Sequence, residues 1–265
     1  MSTTRWTATK IKALKGREKI ACLTAYDYFT ARLLDEAGIP LVLVGDSLGM
    51  TVLGYDSTLP VTMEQMLHHC AAVVRGVRDA LVVADMPFMS YQATVGEALQ
   101  NAGRFLKEAG AGAVKIEGGA LRAETIRALG ENGIPVLGHI GLTPQSVLAM
   151  GGYKVQGRRP EEAESLLRDA HALEAAGVFA LVLECVPKEL GAEITAAVKV
   201  PTIGIGAGPG CDGQILVSHD LLGLGESAPR FAKRYADLGK AMREAFAAYR
   251  ADVTASRFPA DEHSY

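Results

Sequence analysis

Short apolar runs recur along this chain, and each gives way to an ionisable residue. LVLVGD ends on Asp46, ALVVAD on Asp85, AVKIE carries Lys115 and Glu117, PVLGH ends on His139 and ALVLE on Glu184. Runs of this length without polar alternation predict strands buried on both faces, as in a parallel sheet. Further strands are expected at Lys19–Asp27 and Pro201–Gly208, with a short eighth one at Ile215–Ser218.

Between the runs the apolar period changes to three and four. Helices are predicted at Tyr28–Ala37, Leu121–Leu129 and Pro187–Val198, and at Glu161–Ala176 behind Pro160. Two more open on capping boxes: TMEQ at Thr62–Gln65, leading into His68 and His69, and TVGE at Thr94–Glu97, leading to a stop near Gly110. A last helix is expected through Phe231, Tyr235, Leu238, Met242, Phe246 and Tyr249, and a short first one at Thr7–Leu14. Eight strands alternating with helices predict one (β/α)8 TIM barrel over residues 1–265. It has a short N-terminal segment (about 1–18) and a tail (about 253–265) expected to be either poorly ordered or used in a subunit contact. Two long loops, Ser47–Thr62 and Gly141–Pro160, are expected to be functional, the first as a cover over the site.

Bulk properties narrow the functional classes. With 49% hydrophobic residues in 265, the chain has ample core material, and a formal charge of -3 leaves no basic footprint for nucleic acid. Cys22, Cys70, Cys185 and Cys211 show no metal-ligand spacing and are expected as free thiols in a reducing compartment. No apolar stretch has the length of a secretory signal core or a membrane span, so a cytoplasmic protein without membrane partners is expected.

In such a barrel the strand C-termini converge on one face, where catalysis sits. Asp46, Asp85 and Glu117 would then bring three carboxylates together, and these would repel one another unless a cation or solvent intervened. An all-oxygen donor set suits magnesium, whereas the lack of a neighbouring His/Cys cluster disfavours zinc. Any one of these acids can equally cap a loop. Lys115 and Glu117 lie two apart and share a face, so Lys115 either anchors a substrate anion or forms a structural ion pair with Glu117. His139 is a candidate hydrogen-bond donor to substrate. Glu184 follows an apolar run that suits it to proton transfer, or else it pairs with Lys188 or Arg158. GIGAGPG, Gly204–Gly210, lacks dinucleotide spacing and reads as a tight turn or a close backbone approach to a ligand.

The segments GDSLGMTVLGYDSTLPVT, ADMPFMSY, VKIEGG, GHIGLTPQS, LVLECVP and IGIGAG occur in this order from about Leu23 to the last helix. Together they resemble the signature segments of the ketopantoate hydroxymethyltransferase family. The resemblance implies a magnesium-dependent (β/α)8 enzyme that transfers a one-carbon unit from 5,10-methylenetetrahydrofolate to 3-methyl-2-oxobutanoate in pantothenate biosynthesis. It implies Asp46, Asp85 and Glu117 as metal-site carboxylates, and Asp46, Ser47, Asp85, Lys115 and His139 as the oxo-acid site. It further implies Glu184 as the catalytic base and a homodecamer as the assembly. The alternatives are another magnesium-dependent oxo-acid lyase or mutase on the same barrel, and a non-enzymatic binding barrel.

Overall fold

The computed structural model describes residues 5–225 and 227–265. Two compact units divide it, one ending at Leu216 and the other running from Val217 to Tyr265. In the first unit, parallel strands β1 (Ile20–Thr24), β2 (Leu41–Val44), β3 (Leu81–Asp85), β4 (Ala113–Glu117), β5 (Val136–Gly141), β6 (Ala180–Glu184), β7 (Thr202–Ile205) and β8 (Gly213–Leu216) close into a barrel in chain order. Helix α1 (Ala8–Lys12) precedes β1, and α2 (Tyr28–Glu36), α3 (Leu48–Thr51), α4 (Met63–Gly76), α5 (Val95–Arg104), α6 (Ala123–Glu131), α7 (Val147–Met150), α8 (Pro160–Ala176) and α9 (Lys188–Ala197) occupy the connections. The second unit carries α10 (Ser218–Leu222) and α11 (Leu238–Thr254). The (β/α)8 expectation is met.

Strand period two sorts the side chains. Val82, Ala84, Val114 and Ile116 join the apolar layer packed under the helices, so Asp85, Lys115 and Glu117 on the same strands face the barrel axis. Register then aligns them. Asp85 lies opposite Lys115, Glu117 opposite His139, and Gly141 opposite Glu184.

Helix starts follow their caps. Thr62 accepts from the Gln65 N–H at 3.2 Å and Gln65 returns a bond from the Thr62 N–H at 2.9 Å, completing the box at α4. At α5 only the Thr94 half forms, accepting from the Glu97 N–H at 3.1 Å. α8 starts on Pro160 and stops at Gly177, whose φ of 99° is a left-handed turn that glycine adopts freely. Both long loops contain a short helix, α3 in the first and α7 in the second.

Among the boundaries that differ from expectation, two have a visible cause. β8 begins two residues early, at Gly213, where the close approach of the Ile20 carbonyl leaves no room for a side chain: a Cβ there would lie 2.5 Å from it. The last helix begins at Leu238, because Asp237 caps it by accepting from the Lys240 N–H at 3.4 Å. Phe231 and Tyr235 therefore precede the helix, although the apolar spacing continues through them. Of the segment Gly204–Gly210, Gly204 and Ile205 end β7 and the rest is a packed turn: a Cβ on Gly208 would sit 2.4 Å from the Lys188 Cβ, and one on Gly210 2.7 Å from the Ala192 Cβ. All four cysteines are free. Among the described residues no helix is long and apolar enough to cross a membrane.

Candidate active site

Asp46, two residues beyond β2, Asp85 at the end of β3 and Glu117 at the end of β4 bring carboxylate oxygens within 4.8 Å of one another. All three are buried, with 2–4% of their surface exposed. Lys115 Nζ donates to Asp85 at 2.6 Å and to Glu117 at 3.2 Å, so the structural ion pair weighed for it does form. Asp46 makes no ion pair among the described residues. Its Oδ2 accepts from Gln145 Nε2 at 2.9 Å, and its backbone N–H donates to Asp85 Oδ2 at 3.2 Å.

His139 stands between two acids. Its Nδ1 is 3.5 Å from Glu117 and its Nε2 is 3.2 Å from Glu184, with neither nitrogen aligned as a hydrogen bond. Glu184 is the more accessible acid, its side chain 16% exposed against 2% for Glu117. Among the described residues its ionic partner is His139; Lys188 faces Glu189 at 3.7 Å instead, and no ion pair joins Glu184 to Arg158. Immediately after Glu184 the chain turns at Cys185, whose φ of 48° is costly for a residue with a Cβ. Such strain is a common mark of functional strand ends.

The electrostatics follow from three inward carboxylates and fewer cations. Burial, then the charges of Asp85 and Glu117, holds Asp46 well above the ordinary carboxylate range. Burial also raises Asp85, although Lys115 opposes it. Glu117 goes the other way: burial would raise it, but Lys115 and His139 prevail and lower it to about 2. Burial and Lys115 would lower His139, yet Glu117 and Glu184 outweigh them and lift it to about 9, leaving an imidazolium at neutral pH. Lys115 is raised by its acids against the pull of burial and stays charged.

Two further side chains complete the framework. Gln145, in the helical turn after β5, donates through Nε2 to Asp46 and to the Met86 carbonyl, each at 2.9 Å, and its backbone N–H donates to Glu117 Oε2 at 3.0 Å. Its Oε1 accepts from Tyr91 at 2.7 Å and Gln92 at 3.0 Å. Ser47 shares a 2.8 Å hydrogen bond with Tyr26, whose carbonyl lies 2.7 Å from His69 Nδ1. Neither Gln145 nor Tyr26 stood out in the sequence. Their one visible signal is a polar group set within the TPQS and TAYD segments, each directly after an apolar run.

All seven singled-out residues thus lie at the C-terminal ends of β2 to β6 or one to three residues beyond. An oxygen-only cluster of this charge suits a hard divalent cation, with Lys115 and His139 beside it for an anionic ligand.

Comparison with known proteins gives the same direction. Residues 5–261 match the family model described as ketopantoate hydroxymethyltransferase. The chain is 59% identical over 263 residues to the 3-methyl-2-oxobutanoate hydroxymethyltransferase of Carboxydothermus hydrogenoformans, covering 98% of this chain and 95% of that one. It is 57% identical to the enzyme of that name from Moorella thermoacetica, covering 98% of each. Among solved structures, a phosphonopyruvate hydrolase shares the fold at a TM-score of 0.65 and 14% identity, over 97% of this chain and 92% of that one.

Proposed function

The chain belongs to the ketopantoate hydroxymethyltransferase family, and from that premise we propose that it converts 3-methyl-2-oxobutanoate to 2-dehydropantoate with 5,10-methylenetetrahydrofolate as the one-carbon donor. This is a step of pantothenate biosynthesis. The observation that carries the reading is the buried trio Asp46, Asp85 and Glu117, with ligand oxygens within 4.8 Å.

These three would hold one magnesium ion, which fits their all-oxygen donor set and offsets the repulsion that raises Asp46 and Asp85. When bound, the ion polarises the 2-oxo group and favours the enolate. The protein's own groups do the rest. Lys115 and Ser47 hold the oxo-acid carboxylate, and the His139 imidazolium donates toward the substrate oxygens. Glu184, the accessible acid at the end of β6, takes the C3 proton. A carbon–carbon bond then forms between C3 and the donated carbon, water supplies the hydroxyl oxygen, and tetrahydrofolate leaves. Gln145 keeps Asp46 and Glu117 in place throughout.

The assembly is a homo-oligomer, a homodecamer if it follows the family. α11 supports this reading, for Leu238, Met242, Phe246, Tyr249 and Val253 recur on it at helical spacing and are 39–64% exposed. Free thiols in Cys22, Cys70 and Cys211, all buried, support a cytoplasmic setting. The test is direct: incubation with both substrates and magnesium should yield 2-dehydropantoate, and a chelator should stop it. Cleavage of an oxo acid without folate would instead favour a lyase.

A further inference from the structure

Where the ends of β4 and β5 meet α8 lies a cavity of about 280 Å³ that the enolate chemistry does not use. We propose that this cavity, with Asp169 as its anchor, receives the pterin head of the folate donor. The inference rests on the donor reading above and deepens it by naming where the donor sits.

Position comes first. Gly118, Ile140 and Gly141 line the cavity, and in the chain they follow Glu117 and His139 directly. A ring seated there borders the C-terminal ends of β4 and β5, the strands that carry Glu117 and His139 on their axis-facing side. Size comes second, since the volume is just below the roughly 300–1,000 Å³ of whole-ligand sites and so suits a bicyclic head rather than an entire folate.

The lining supplies the rest of the match. Ile140, Met150 and Leu166 offer apolar surface for ring faces, and Thr143, Ser165 and Asp169 offer polar groups for ring edges. A 2-amino-4-oxopteridine presents two adjacent donors, N3–H and the 2-amino group, which one carboxylate can accept side by side. Its C4 oxygen calls for a hydroxyl or N–H donor. Asp169 is the acid placed for the first role. Its Oδ1 accepts from the Ala120 N–H at 2.8 Å, which fixes the group against the β4 loop, and it makes no ion pair among the described residues. The backbone there must be glycine, because a Cβ on Gly119 would fall 2.0 Å from the Asp169 carboxyl carbon. Glu162, the other acid of the lining, is already committed to Arg159, with two contacts at 2.8 Å. With one carboxylate outside any ion pair among the described residues and no cation in its lining, the cavity repels an oxo-acid anion and accepts a neutral ring rich in donors.

Asp169→Asn keeps an oxygen for the Ala120 N–H but sets an amide N–H against the pterin donors. Its KM for methylenetetrahydrofolate and its Kd for tetrahydrofolate should rise tenfold or more. Proton exchange at C3 of 3-methyl-2-oxobutanoate, which involves no folate, should change less than twofold. On the unaltered protein, tetrahydrofolate should slow amide exchange across residues 118–120 and 165–169, and the oxo acid should not. Unchanged donor constants in the variant, or protection confined to other segments, would overturn the proposal. An unaltered protein that exchanges the C3 proton but does not bind tetrahydrofolate would overturn it and the choice of donor, leaving the enolate chemistry standing. Donor binding that depends on Asp169 in a protein without C3 exchange would support the cavity while removing the enolate.

Discussion

Two buried charge clusters occupy opposite ends of the same barrel, and they are built on opposite principles. At the N-terminal end, Asp212 ahead of β8 meets a single cation, Lys15, at 2.8 Å, and it also accepts from the backbone N–H groups of Gly16 at 3.3 Å and Thr202 at 2.9 Å. Lys15 in turn donates to the Thr195 carbonyl at 2.6 Å. Burial would raise Asp212, but these bonds lower it below the ordinary aspartate value of 3.8. At the C-terminal end, Lys115 is shared by Asp85 and Glu117, and among the described residues Asp46 is left with hydrogen bonds and no cation. One cluster closes its charge within the chain and serves stability; the other stays open for a ligand.

The contrast can be broken most sharply at Glu184, whose carboxylate has His139 as its one ionic partner among the described residues. Glu184→Gln should cut C3 proton exchange into deuterated water by about 10²- to 10⁴-fold while oxo-acid affinity stays within a few-fold. Retained exchange would remove Glu184 as the base. Next comes Gln145, which orients two carboxylates without belonging to the trio. Gln145→Leu should weaken divalent-ion affinity by about 10- to 100-fold, read by calorimetry; a parent-like isotherm would show that the orientation is not needed.

The N-terminal cluster should behave in the opposite way. Asp212→Asn strands a half-buried ammonium and should cost about 2 kcal/mol, or roughly 4–8 °C in Tm, with kcat unchanged. Asp46→Asn measured in chelator relieves repulsion instead, and its Tm should hold or rise while magnesium activation is lost. Equal losses of Tm in both would erase the distinction.

The smallest expected effect is in pH. Because its folded pKa is lowered, Asp212 contributes stability above its unfolded pKa and loses it as pH falls through the folded value, below pH 3.8. The stability gap between the parent and Asp212→Asn should therefore be constant near neutrality and close on acidification. A gap that widened toward low pH would contradict the sign.

The two ends also differ in how far they could be read from residues alone. At the mouth, each acid ends its own apolar run, so strand period and barrel convergence are enough to bring Asp46, Asp85, Lys115, Glu117, His139 and Glu184 to one face. Lys15 and Asp212 are 197 residues apart and lie where strands begin, with no run pointing to them. Gln145 escaped for a related reason: its role depends on a loop folding back across three strands, which no local pattern encodes. The late start of α11 has a simpler cause. Apolar spacing marks a face, whereas the Asp237 cap marks the boundary, and here the two disagree. Lys188 and Arg158 were reasonable partners for Glu184 by charge, yet β5 register puts His139 nearer.

The trio at the mouth is best tested by titrating the metal-free protein with magnesium, or with manganese as a spin probe, in the absence of substrate. The unaltered chain should take up one ion per protomer in a saturable isotherm, and Asp85→Asn should abolish it, while Asp212→Asn leaves it intact. Binding undiminished in Asp85→Asn, or no saturable binding in the unaltered protein, would contradict a cation site formed by Asp46, Asp85 and Glu117.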